Sequence, residues 1–167
     1  MLIREEREDD ASAVYAVNAA AFETSAEAAL VDLLRRQARP VVSLVAEVDG
    51  SIVGHIMFSP AALCGHEQYR LMALGPMAVS PRCQRRGIGS ALVRAGLDRC
   101  RALGFDAVVV LGHPAFYPRF GFQAASRFDL RCEYDAPDDA FMATELAAGA
   151  LEGKTGLVRY HAAFSQV

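Results

Sequence analysis

Leu74-Gly75-Pro76-Met77-Ala78-Val79-Ser80-Pro81-Arg82-Cys83-Gln84-Arg85-Arg86-Gly87-Ile88-Gly89-Ser90-Ala91-Leu92 is the stretch on which the rest of the chain hangs. An apolar run over residues 71–79 predicts a buried strand. It feeds a glycine-bearing loop that opens a helix over about 89–103, which Gly104 stops. Such a loop turns consecutive backbone N–H groups toward one point, where the helix dipole also favours negative charge. Gly87 and Gly89 carry no Cβ, so a diphosphate can approach the backbone closely, and Arg85 and Arg86 add charge. The residues describe a pyrophosphate cradle.

Three kinds of cradle compete for that reading. A dinucleotide-binding loop needs G-x-G-x-x-G, and Leu92 stands where the third glycine belongs. A phosphate loop of the NTPase type needs four residues between its first glycine and G-K-[ST]. Gly153-Lys154-Thr155 fits the end of that pattern, but Gly149 is one residue too near and Gly156 leads into a strand. The third pattern, Q/R-x-x-G-x-G/A, is met in full by Gln84-Arg85-Arg86-Gly87-Ile88-Gly89.

Working outward, a first strand is predicted over 2–7 and a helix over 11–21, capped by Asp9 or Asp10. Thr24-Ser25-Ala26-Glu27 fits a capping box for a second helix reaching about Arg36. Two β-branched runs, 41–48 and 51–58, flank Asp49-Gly50, a strong hairpin signal. Residues 107–111 form a continuous valine-rich run, hence a strand covered on both faces. A short helix near 114–119 and two weaker strands, about 140–146 and 157–164, complete the order. The fold class is α/β with a mixed sheet, mostly antiparallel, holding one parallel strand–helix–strand unit, with helices on both faces. No repeat or linker interrupts it, and residues 1–167 read as one domain.

Composition narrows the function classes. The 167 residues are 53% hydrophobic and 22% charged, with a net charge of −3. No apolar run approaches the ~20 residues that cross a bilayer, and the opening Met1-Leu2-Ile3-Arg4-Glu5-Glu6 turns acidic where a signal peptide would become apolar. Neither a membrane protein nor an exported one is expected, and the cytoplasm is the expected location. Residues 81–101 hold six arginines and one acid, net +5, inside an otherwise acidic chain. That is one local anion site rather than the extended basic face of a nucleic-acid binder. Cys64, Cys83, Cys100 and Cys132 form no C-x-x-C pair, so free thiols and no metal are expected.

With these residues in view, the chain resembles the GNAT acetyltransferases. Three ordered motifs carry the resemblance: the hexapeptide 84–89, the strand end Met77-Ala78-Val79, and Phe116-Tyr117-Pro118-Arg119-Phe120-Gly121-Phe122, similar to the family's F-Y-x-x-x-G-F signature. The stretch Val109-Val110-Leu111-Gly112-His113-Pro114, with Cys132-Glu133-Tyr134-Asp135 after it, is similar to a YhbS-like branch of predicted acetyltransferases. The resemblance covers nearly the whole chain. It implies the acyl-CoA N-acyltransferase fold, acetyl-CoA as cosubstrate without a metal, and an amine acceptor on a small molecule or peptide. The pyrophosphate would rest on Gln84, Arg85, Arg86, Gly87, Ile88, Gly89 and Ser90, and the pantetheine arm on Met77, Ala78 and Val79.

The resemblance also implies roles for single residues. Gly75-Pro76 reads as a strand irregularity, which in the family frees backbone N–H groups for the acetyl carbonyl, with Met77 the candidate donor. Tyr117 is the candidate general acid, since a phenol keeps its proton at neutral pH and can pass it to a departing thiolate. The strand over 71–79 holds no acid or histidine, so the general base stays open among His113, His55 and water. Phe22, Glu23, Glu27, Glu133, Asp135, Asp138 and Asp139 stand on loops that line the acceptor side in the family; solvated loops explain such charges, Glu133 excepted. A non-catalytic acyl-CoA-binding module and a nucleotide-binding protein are the competing readings. Oligomeric state is open, a homodimer among the options.

Overall fold

The computed structural model describes all 167 residues. Its strands are β1 (Leu2–Glu5), β2 (Val42–Val48), β3 (Ser51–Leu63), β4 (Leu71–Val79), β5 (Ala107–Leu111), β6 (Gln123–Ala124), β7 (Leu130–Cys132), β8 (Phe141–Glu145) and β9 (Gly156–Arg159). Its helices are α1 (Ala11–Ala21), α2 (Ala26–Gln37) and α3 (Ile88–Ala102). The fold is the mixed α/β one expected, with antiparallel pairs β1–β2 and β2–β3 and a parallel pair β4–β5 joined through α3. No helix is long and apolar enough to cross a membrane. The chain forms two compact units: Met1–Ser59 with Gly75–Gly96 and Ala162–Val167, and Pro60–Leu74 with Leu97–His161.

In the first unit, Asp49 and Gly50 take φ of 51° and 79°, the left-handed pair that a two-residue hairpin turn demands. Alternation along β3 sends neighbouring residues to opposite faces. His55 meets Asn18 of α1, while Gly54 lies under Ile88 and Leu92 of α3, so helices cover both faces here. Val14, Val31, Leu34, Val45 and Met57 are fully buried on the α1–α2 side, each worth roughly 1.5–3 kcal/mol of burial. The capping box at α2 does not form as expected. The helix starts later, with Ser25 at the N-cap, and the Thr24 hydroxyl accepts from Ala26 N at 3.2 Å.

In the second unit, β4 keeps register with β5 from Leu71↔Ala107 to Leu74↔Val110, and β8 pairs antiparallel with both β5 and β6. A smaller ladder joins β7 parallel to β9, and β9 antiparallel to the tail of β3. Leu63, Leu71, Ala73, Val109, Ala143 and Val158 are buried at its centre. Three expectations need correction. The final strand ends at Arg159, and Ala162–Ser165 form a 3-10 turn instead. The short helix is a 3-10 turn over Tyr117–Phe120. Two brief strands, β6 and β7, were not anticipated, because two or three residues carry no readable period.

Candidate active site

β4 changes character at its middle. Leu71, Met72, Ala73 and Leu74 are all buried, whereas beyond them Gly75, Met77 and Val79 are half-buried and alternate with buried Pro76 and Ala78. Gly75 takes φ of 147°, which L side chains rarely adopt, and Pro76 has no N–H to give a ladder. The irregularity expected at Gly75-Pro76 is therefore present, immediately before Met77.

The strand end is pinned. Ser80 N donates to Val53 O of β3 at 2.8 Å, and Cys83 N to Ser80 O at 2.8 Å as the chain turns through Pro81–Cys83. The Gln84 side chain reaches back to donate to Val79 O at 3.1 Å, which ties the loop to the strand. Arg85 (φ 64°) and Gly87 (φ 82°) then place left-handed residues on either side of Arg86. Alternation of this kind turns successive N–H groups inward as an anion-binding nest. α3 begins at once, and Ala91 N donating to Gly87 O at 3.0 Å opens its ladder. The N–H groups of Ile88, Gly89 and Ser90 precede that ladder, as the first donors of any helix do. Arg82, Gln84, Arg85, Arg86 and Gly87 are exposed.

One residue the sequence reading passed over sets this loop's height above the sheet. Gly54 is buried, and a Cβ there would lie 3.0 Å from Ile88 Cγ2 and 3.1 Å from Leu92 Cδ1. Its bare backbone lets the first turn of α3 sit on β3. The signal was available: a glycine inside a β-branched strand marks a close approach.

Tyr117 lies in the second unit and is built in the opposite manner. Its ring is 6% exposed, edge-on to Phe116 at 5.1 Å and to Phe122 at 5.6 Å between centroids. Burial pushes its phenol up to about 12, so the hydroxyl keeps its proton throughout the working pH range. His113 O accepts from Phe116 N and Tyr117 N and thereby closes the turn that presents the ring, while the His113 residue itself is exposed.

His55 is locked away in the first unit. Asn18 Nδ2 donates to Val14 O at 3.0 Å, which orients the amide so that its second hydrogen faces His55 Nδ1 at 3.1 Å. Nδ1 therefore accepts, Nε2 carries the proton, and Nε2–H donates to Ser43 Oγ at 2.8 Å. Burial above all, then the nearby Arg35 charge, depresses this imidazole to about 3. A side chain with 0% exposure and both ring nitrogens engaged does not take a proton from a bound amine. Of the three options for the base, His113 and water stay open.

The acceptor-side carboxylates divide. Glu23, Glu133, Asp135, Asp138 and Asp139 are exposed, while Phe22 and Glu27 are half-buried. Glu133 has structural work: its Oε1 accepts from Tyr160 N at 2.8 Å. No group of three or more His, Cys, Asp or Glu side chains is arranged to hold a metal, and all four cysteines are free.

The family model for the Acetyltransferase (GNAT) family matches residues 4–122, from β1 through the last phenylalanine of the F-Y-x-x-x-G-F segment. The chain belongs to the GNAT family. It is 41% identical over 167 residues to the uncharacterized N-acetyltransferase YhbS of Escherichia coli (strain K12), covering 99% of each chain. A crystal structure of YhbS from Escherichia coli in complex with CoA superposes with a TM-score of 0.93 at 40% identity, covering 98% of this chain and 91% of that one. A GNAT acetyltransferase from Brucella melitensis in complex with acetyl-CoA gives 0.81 at 37% identity, with 98% and 97% covered. Within the GNAT frame, the residues expected to hold the cofactor, Met77 to Val79 and Gln84 to Ser90, fall together in the first unit, and Tyr117 in the second.

Proposed function

We propose that this chain is a single-domain catalytic N-acetyltransferase that moves the acetyl group of acetyl-CoA to a primary amine of a small molecule or peptide, by direct attack in a ternary complex. The observation that carries this reading is the loop after β4. Its left-handed Arg85 and Gly87 lead straight into the first turn of α3, at the end of a strand broken by Gly75-Pro76. The relatives solved with CoA and with acetyl-CoA support it.

In this reading Gln84, Arg85, Arg86, Gly87, Ile88, Gly89 and Ser90 hold the pyrophosphate through backbone donors and arginine charge. Met77, Ala78 and Val79 hold the pantetheine arm in extended form, and Met77 N–H stabilises the oxyanion. Alignment of thioester and amine supplies much of the rate, up to ~7–11 kcal/mol. The amine, deprotonated through His113 or water, attacks the acetyl carbon. A C–N bond forms, the C–S bond breaks, sulfur leaves with its electron pair, and Tyr117 O–H gives sulfur a proton. The phenolate is restored by the proton the amine released. Four free thiols fit a reducing cytoplasm.

The test pairs binding with turnover. Acetyl-CoA at millimolar concentration is expected to raise the melting temperature, because a ligand that prefers the folded state stabilises it. CoA release over a panel of primary amines is then expected above the acceptor-free rate. A melting shift from ATP or NAD with none from acetyl-CoA would point to the nucleotide-binding reading. Tight acetyl-CoA binding with no turnover on any amine would leave the acyl-CoA-binding module.

A further inference from the structure

Gly112 ends the β5 run and faces the Tyr117 ring. A Cβ built on Gly112 would overlap Tyr117 Cε2 and lie 3.0 Å from Cδ2 and 3.3 Å from Cζ. The Cε2 side of the ring thus sits against a bare Cα, closer than any side chain would allow. Gly112 is not among the residues with positive φ, so its backbone is one that alanine adopts without strain. It is held by Gly112 N donating to Ala140 O at 3.0 Å. The need for glycine here is the space the ring occupies and nothing else on the backbone. Phe116 and Phe122 meet the ring in T-shaped contacts, and Gly112 supplies the side-chain-free backbone against which its Cε2 side is seated.

We propose that Gly112 is the positioning residue for the general acid. Its missing side chain fixes where the Tyr117 hydroxyl stands, and hence how well that hydroxyl meets the leaving sulfur. This rests on the reading of Tyr117 as the acid. An added methyl must push the ring by several tenths of an ångström or more to regain ordinary contact. Displacements near 1 Å at a reacting group cost up to about 100-fold in rate. The expected phenotype is a kcat effect, because acetyl-CoA is held by the loop after β4 and not by Gly112.

The experiment is a double-mutant cycle of Gly112→Ala and Tyr117→Phe. The assay is loss of the thioester absorbance of acetyl-CoA with the best amine of the panel, or by hydrolysis if no amine turns over. Gly112→Ala is expected to lower kcat about 10- to 100-fold with acetyl-CoA affinity within about twofold of the parent. In the Tyr117→Phe background the same methyl is expected to change kcat less than about twofold, since the hydroxyl it displaces is already gone. Parental kcat in Gly112→Ala, while Tyr117→Phe is impaired, would overturn the positioning role and leave the acid in place. Full multiplication of the two losses would overturn it as well. Parental kcat in Tyr117→Phe would remove the acid, and the positioning role with it. Should Gly112→Ala fail to fold, Phe122→Leu, which loosens an edge wall of the same ring, takes its place in the cycle with the same expectations.

Discussion

Arg82, Gln84, Arg85, Arg86 and Gly87 stand in solvent on a loop bent by two left-handed residues, whereas Tyr117 is 6% exposed and seated among Phe116, Phe122 and Gly112. In the proposed reading the loop binds with main chain and charge, so its requirements are local and written in consecutive residues. In that reading the tyrosine acts with one hydroxyl, whose place is set by side-chain packing against Gly112, Phe116 and Phe122. Substitutions in the loop should therefore act on ligand affinity and spare stability. Those around the ring should act on turnover and spare affinity.

The largest effect expected is at the ring. Tyr117→Phe removes one oxygen and keeps the aromatic contacts, so a drop in kcat of about 10²- to 10⁴-fold with near-parental acetyl-CoA affinity is expected. Steady-state rates beside an acetyl-CoA titration read it. A parallel fall in affinity and melting temperature would mean that the ring only packs. At the loop, Gly89→Val places a branched Cβ where, in the proposed reading, backbone meets phosphate. Acetyl-CoA affinity is expected to fall about 10- to 100-fold, with the apo melting temperature nearly unmoved. Parental affinity in that variant would put the cradle elsewhere and break the comparison.

A third substitution sharpens it from the side of packing. Gly96 sits inside α3, where alanine would ordinarily gain about 1 kcal/mol. A Cβ there would overlap the ring of Phe58, a fully buried residue on β3. Overpacking costs about 1–3 kcal/mol, so Gly96→Ala is expected to destabilise despite the propensity gain. Chemical denaturation decides the sign, and a net stabilisation would show that Phe58 yields freely.

The same contrast explains what the sequence could tell. α1, β4 and β5 were readable to the residue because apolar period and breakers agreed there, and Asp49-Gly50 announced its turn. The loop at 84–89 was legible as a pattern because its glycines and arginines stand together in a single hexapeptide. Gly54 carried a local signal as a glycine inside a β-branched strand, whereas Gly96 and Gly112 were not legible in their roles. Gly96 is required by the ring of Phe58 from a distant strand and Gly112 by the ring of Tyr117 five residues on, and neither requirement shows in the residues beside the glycine. β6 and β7 were missed because they are shorter than one readable period. His55 looked like a candidate base because its sequence neighbours do not reveal Asn18 and Ser43.

The mildest effect concerns that histidine and is read against pH. Burial depresses His55 to about 3 from an ordinary 6.5, so the native state holds it neutral while the unfolded chain protonates it below about pH 6.5. Between those values the unfolded state binds more protons, and stability rises with pH. The stability contributed by the neutral imidazole is complete above about 6.5 and is lost progressively toward 3. The slope approaches about 1.4 kcal/mol per pH unit once the unfolded histidine is mostly charged. Asp10 adds nothing in the upper part of that window. Its hydrogen bond from Arg4 holds its carboxyl at about 2, below the usual 3.8, so its share of stability is lost only between those values. Urea midpoints of the parent and of His55→Gln, measured from pH 7.5 to 4.5, isolate the effect. The chain has four histidines, and the other three are present in both proteins, so their contributions cancel in the difference. The parent is expected to lose stability faster than His55→Gln as pH falls through 6. Parallel curves would mean that His55 charges in the folded protein, and the buried Asn18–His55–Ser43 network would then have to open at mildly acidic pH.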